Sequence, residues 1–101
     1  QDQQGMDMNN LTLHITHHPD IGRFACVVDG LMCEADYRLL NGVMHMTHTG
    51  VPRALEGRGI AAQLVQAALT WAREQGLKVQ PVCSYVAVYI RRHPEWQDLV
   101  A

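Results

Sequence analysis

What this chain lacks narrows its function before any motif is read. No charge of one sign dominates: eight Lys and Arg stand against ten Asp and Glu, a formal net charge of −2 over 101 residues. Such a balance gives no electrostatic pull toward DNA, RNA or an anionic membrane, so none of these is an expected partner. No apolar run approaches the roughly 20 residues that a membrane-spanning helix needs. The opening "QDQQGMDMNN" has neither a basic flank nor an apolar segment, and is not expected to be a signal peptide. Residues before Met6 or Met8 read as a remnant of expression; 1–9 are expected to be a flexible tail and 10–99 one domain. Cysteine is scarce: Cys26, Cys33 and Cys83 are odd in number and have no disulfide-like spacing, which points to a reducing, cytoplasmic setting. The histidines show no zinc-type spacing with these cysteines, so no metal is expected. Nothing sets the oligomeric state.

What is present is a chain with 48% hydrophobic residues, enough for one modest core. Residues 11–16, "LTLHIT", alternate apolar and polar as a half-buried strand does. "HHPDIG" reads as a solvated turn. Asp29-Gly30 and Asn41-Gly42 then divide the next stretch into three strand-like runs, near 22–28, 31–40 and 43–49. These dipeptides favour type I′ hairpin turns, whose two central residues both need positive φ. An antiparallel meander is expected. Within it His45 and His48, three apart, are expected on opposite faces of their strand.

A helix is expected over 58–75. Ile60, Leu64, Ala68 and Trp71 form one stripe, flanked by Ala61, Val65 and Ala72, with polar residues opposite and Gly76 as the stop. "LKVQPV" (77–82) reads as a strand, and "SYVAVYIRRHPEW" as a second helix ending before Pro94, with Trp96 docked on the core. The order is β-β-β-β-α-β-α. A strand–helix–strand crossover makes 43–49 and 77–82 parallel neighbours, so the fold class is α/β (α+β) with a mixed, mostly antiparallel sheet.

The helix starts beside "EGRGIA", residues 56–61. The first N–H groups of a helix have no intrahelical partner and sit at the positive end of its dipole. Gly57 and Gly59 would let an anion approach those groups, and Arg58 adds a charge, so the stretch is either a phosphate site or a plain tight turn. No Gly-Lys-Ser/Thr follows, which excludes a nucleotide P-loop. A dinucleotide fingerprint would need an acidic residue at the end of a second strand, and a meander precedes the helix instead.

"EGRGIA" resembles the pyrophosphate-binding motif of the GNAT superfamily of acyl-CoA N-acyltransferases: Arg or Gln, two residues, Gly, one residue, then Gly or Ala. Gly59 and Ala61 match, while Glu56 stands where Arg or Gln is usual. Together with "HTGVP", "CSYV" and "RRHPEW", it resembles the small stand-alone GNAT-like proteins of about a hundred residues over roughly 10–99. The resemblance implies that strands 43–49 and 77–82 splay and that acetyl-CoA or CoA is the cofactor. It places the pyrophosphate on N–H groups of Gly57, Arg58, Gly59, Ile60, Ala61 and Ala62. The pantetheine arm would lie along His48 to Val51, and so on Thr49 and Val51. Ser84 and Tyr89 complete the implied cofactor contacts.

Acetyl transfer needs a neutral amine, donors for the tetrahedral oxyanion, and a proton or charge for the departing thiolate. Cys83 precedes a helix start, which favours a thiolate; it is either an acetyl acceptor or acid, or a small buried hydrophobe. His48, at a strand end, is either a general base or a histidine satisfied by hydrogen bonds. Tyr85 and Tyr89 share one helix face; the resemblance implies that a tyrosine there protonates the thiolate, and packing is the other reading. Arg91 and Arg92 either reach the cofactor phosphates or solvate the helix end. Typical members carry one or two helices between the first two strands, and here only "HHPDI" stands there, so the acceptor side is expected to be open. The implied activity is transfer of an acetyl group to an unidentified amine, protein or small molecule. The alternative is a non-catalytic CoA-binding or interaction module on the same fold.

Overall fold

Two tight turns organise the sheet where the two dipeptides stand: Asp29 (φ 52°) with Gly30 (φ 76°), and Asn41 (φ 51°) with Gly42 (φ 79°). Both pairs hold the positive φ that the right-handed twist of a two-residue hairpin needs. The fold comes from a computed structural model, which describes residues 12–101. The expected tail 1–9, and Leu11 of the expected first strand, lie outside the described residues.

The strands are β1 (Thr16–His18), β2 (Arg23–Val28), β3 (Leu31–Leu40) and β4 (Val43–Gly50). A short 3₁₀ turn, Arg53–Leu55, leads to helix α1 (Ile60–Glu74), strand β5 (Lys78–Pro81), helix α2 (Ser84–Arg92) and a closing 3₁₀ segment, Pro94–Leu99. The sheet order is β1-β2-β3-β4-β5, antiparallel except for the β4–β5 pair. This is the expected mixed α+β architecture.

The first strand departs from expectation. It forms at Thr16–His18, two of whose residues read as a turn. His17 is the reason: its ring stacks on Phe24 (3.9 Å between centroids), meets Trp71 edge-on and hydrogen-bonds to the Tyr37 hydroxyl. Burying this aromatic cluster pulls His17 and its neighbours into register with β2, Thr16 opposite Ala25 and His18 opposite Arg23. Leu13 and Ile15 still pack against the core without forming a strand.

Alternation divides the sheet into two unlike faces. Phe24, Cys26, Cys33, Ala35, Tyr37, Met44, Met46 and Val79 are buried with Ile60, Leu64, Val65, Ala68 and Leu69 of α1 and Val86 and Ile90 of α2. Both helices thus cover one face. The other carries Arg23, Val27, Met32, Glu34, Asp36, Arg38, His45 and His48, with Val27 64% and Met32 51% exposed.

β4 and β5 separate. They pair from Val43–Lys78 to Met46–Pro81, and the Cys83 N–H then donates to the Met46 carbonyl at 2.8 Å. Beyond it, β4 runs on to Gly50 with partners on β3 alone. Pro81 has no N–H to carry the ladder further. On the β3 side the register shifts: Asp36 faces His48, yet Tyr37 faces Met46, so Thr47 is a bulge. This overturns the expected placement of the two histidines. The extra residue reverses the alternation, and His48 and His45 lie on the same open face.

The C-terminal segment closes the core. Trp96 and Leu99 are each 7% exposed, the Arg73 guanidinium lies 4.7 Å over the Trp96 ring, and Val100 bridges to Val79. No helix among the described residues is long and apolar enough to cross a membrane.

Candidate active site

The site is built on the link between β4 and α1. Leu55, 1% exposed, pins the 3₁₀ turn to the core. The chain then takes two left-handed steps, at Gly57 (φ 86°) and Gly59 (φ 77°), which most residues with a β-carbon adopt only under strain. α1 begins with no side-chain cap and no acidic residue in its first turn. Its first intrahelical bond of this kind is Gln63 N–H to the Gly59 carbonyl. The N–H groups before Gln63 are therefore left for something outside the helix.

A cavity of about 450 Å³ opens at that point. Of the residues expected to hold a cofactor, Thr49, Val51, Gly57, Gly59, Ile60, Ala61 and Ala62 line it. Tyr85, from the start of α2, lines it as well, and so do Leu55 and Glu56. A β-carbon on Gly57 would project into open space. The cavity thus joins the uncapped end of α1 to the part of β4 that has left β5.

The other expected residues lie elsewhere. Arg58 turns back to the β2–β3 hairpin, its Nη1 3.2 Å from Asp29 Oδ2, and does not line the cavity. Ser84 is exposed at the first turn of α2 and is not in the wall. Tyr89 is buried away from it, stacked on His93 at 4.0 Å. Burial, then the charge of Glu95, hold its phenol above the usual range. His48 stands on the open face with its Nε2 3.2 Å from Glu34 Oε2. Arg91 and Arg92 are exposed in the last turn of α2.

Cys83 sits where β5 ends and α2 begins, as the N-cap residue. Its sulfur is 3.7 Å from the Thr49 hydroxyl. Burial alone would push the thiol up, but it is outweighed by the Val86 N–H, the Thr49 hydroxyl and the Tyr85 and Thr49 backbones, and the thiol is held below its ordinary value. No full cap hydrogen bond closes on the sulfur, so these donors act as a loose anion-favouring shell. The other two cysteines differ. Burial pushes Cys26 up to about 11 and raises Cys33 as well. Burial also raises the Tyr85 phenol, which stays a proton donor at neutral pH.

Sequence reasoning missed Leu55 as a wall and Glu34 as the partner of His48. Leu55 carried no motif signal. Glu34 meets His48 only because of the Thr47 bulge, which no local pattern announces.

Comparisons with known proteins identify the family. Residues 23–99 match the family described as GCN5-related N-acetyl-transferase. Over 52 residues the chain is 40% identical to Protein NATD1 of Gallus gallus, covering 52% of this chain and 47% of that one. Protein NATD1 of Homo sapiens gives the same identity, with 46% of its length covered. The chain thus spans about half the length of the curated relatives it matches. The solution structure of a GCN5-like protein from Staphylococcus aureus superposes with a TM-score of 0.72 at 28% identity, covering 88% of each chain. A profile match over most of the chain, a shared fold and a cavity at the glycine turn lead to one conclusion: the chain belongs to the GCN5-related N-acetyltransferase family.

Proposed function

We propose that this chain is an acetyl-CoA-dependent N-acetyltransferase acting on an amine. The observation that carries the reading is the cavity joining the uncapped start of α1 to the free edge of β4, with Cys83 and Tyr85 beside it. A pyrophosphate suits N–H groups from Gly57 to Ala62, which have neither a cap nor an acidic first turn to satisfy them. Thr49 and Val51 offer a strand edge to an extended arm. The thioester then falls near Cys83, Thr49 and Tyr85. In this reading Tyr85 donates the proton that the departing thiolate needs, Cys83 holds the thiolate side or takes the acetyl group covalently, and His48 serves the amine. Three free cysteines fit a cytoplasmic protein.

A second reading, a CoA-binding module without chemistry, draws on Glu56, an acidic residue of the wall that a polyanionic cofactor would face. Thermal unfolding with acetyl-CoA addresses the binding that both share. At about 100 times its dissociation constant the ligand adds roughly 2.7 kcal/mol, a shift on the order of 10 °C for a domain this small. A shift that is lost in Gly59→Trp places the ligand at the glycine turn. CoA release in the presence of amines, reduced in Tyr85→Phe, separates the enzyme from the module. No shift in the parent contradicts both readings.

A further inference from the structure

The face of the sheet away from the helices carries a pair of groups that the cavity does not use. His48 Nε2 and Glu34 Oε2 are 3.2 Å apart, with the imidazole 57% and the carboxylate 20% exposed. A carboxylate only accepts, so Nε2 bears the hydrogen and Nδ1 keeps the lone pair while the ring is neutral. The pair exists because of the bulge at Thr47. Without the extra residue His48 would share the core-facing parity of Met44 and Met46.

Gly50 lies against the pair. Its φ is not positive, so its backbone has no need of glycine. A β-carbon there would meet Glu34 Oε2 and come within 2.9 Å of His48 Nε2, the outer ends of two side chains that would have to shift apart. The missing side chain leaves the room in which the two groups meet. The neighbouring charges are already engaged or set apart. Asp36, opposite His48, is held by Arg23 at 2.7 Å, and Arg38 stands opposite His45 on the adjoining pair. Glu34 is the carboxylate that meets the His48 ring.

We propose that Glu34 is a positioning residue for His48, and that the two take the proton from an acceptor ammonium arriving on the open face where β4 leaves β5. The proposal rests on the acetyl-transfer reading. Thr49, the next residue, lines the cavity, so His48 stands one residue along β4 from the cavity wall, on the opposite face of the sheet. His48 Nδ1 takes one proton from the ammonium. The freed nitrogen lone pair forms the C–N bond, the C–S bond breaks, and the thiolate takes the Tyr85 proton. The second proton of the nitrogen restores Tyr85, and His48 returns its proton to water.

The test measures CoA release from acetyl-CoA with Nα-acetyl-lysine amide as acceptor, whose side-chain pKa is about 10.4. Glu34→Ala, Gly50→Ala and His48→Gln should all keep the acetyl-CoA thermal shift. Each should lower kcat at about pH 7.5 by at least about tenfold, with little change in KM for acetyl-CoA. The deficit should shrink toward about pH 10, where the amine supplies its own neutral form; a merely structural loss would not follow the amine's titration. A deficit that is the same at every pH, or variants as fast as the parent, overturns the proposal alone. A parent that binds acetyl-CoA but releases no CoA with this amine, or with other primary amines in its place, overturns the proposal with the transferase reading. A parent without the thermal shift fails one step earlier, at the cofactor.

Discussion

The Cys83 sulfur lies 3.7 Å from the Thr49 hydroxyl, across the gap where β5 leaves β4. The two residues are 34 positions apart, and only the parallel crossover brings them together. Their contact also separates one cysteine from the other two. Cys26 is 4% exposed and pushed up to about 11, and Cys33 is fully buried. Iodoacetamide at neutral pH should therefore label Cys83 first, and the other two only on unfolding. Acetyl-CoA should slow that labelling, and Thr49→Val should slow it without ligand, because a donor to the thiolate is gone. Mass spectrometry of the labelled peptides checks the order; equal labelling of all three would contradict it.

Glu56 sets a negative charge against a polyanionic ligand. The residue lines the cavity beside the glycine turn. If acetyl-CoA binds as proposed, Glu56→Gln removes a like charge near its phosphates and should tighten it about two- to fivefold, the size of an exposed charge interaction. The gain should fade at about 1 M salt, where the screening length is about 3 Å. Calorimetric titration of parent and variant at two salt concentrations reads both effects.

His17 makes stability depend on pH. Burial lowers its pKa below the ordinary 6.5, and the neighbouring His18 adds to the effect. The folded state thus prefers the neutral ring. Its contribution is complete above the unfolded value and is lost as pH falls through about 6.5 toward the lower folded value. Urea midpoints should drop between about pH 7.5 and pH 5.5, and the drop should be smaller in His17→Phe, which keeps a ring against Phe24 and Trp71 but cannot titrate. An unchanged drop in the variant would assign it to other groups.

Leu64 tests the core under the site. It is fully buried in α1, four residues after Ile60, which lines the cavity. Leu64→Ala should cost about 2–5 kcal/mol, a fall in the thermal midpoint of about 10 °C or more. A loss much below 1 kcal/mol would mean that the face α1 turns to the sheet is not the one described.

How legible this was depended on how local each cause is. Asp29-Gly30 and Asn41-Gly42 declare their turns because the positive φ is a property of the dipeptide, and the α1 stripe declares itself because its period is local. The glycine turn was legible for the same reason. The Thr47 bulge was not: it arises from the fit of β4 against β3, and it decides which face His48 occupies and that Glu34 meets it. The first strand was misplaced because His17 is drawn into the sheet by Phe24, Tyr37 and Trp71, the last of them 54 positions away in a helix. Arg58 was expected at the phosphates because of its place in the motif, and Asp29 on a distant hairpin redirects it.

The most direct measurement is the change in backbone amide resonances when acetyl-CoA is added to the isotopically labelled chain. The largest shifts are expected at Gly57 to Ala62 and along Thr47 to Val51, with Cys83 and Tyr85 next. Shifts centred elsewhere, or none at saturating ligand, would contradict a cofactor site at the glycine turn.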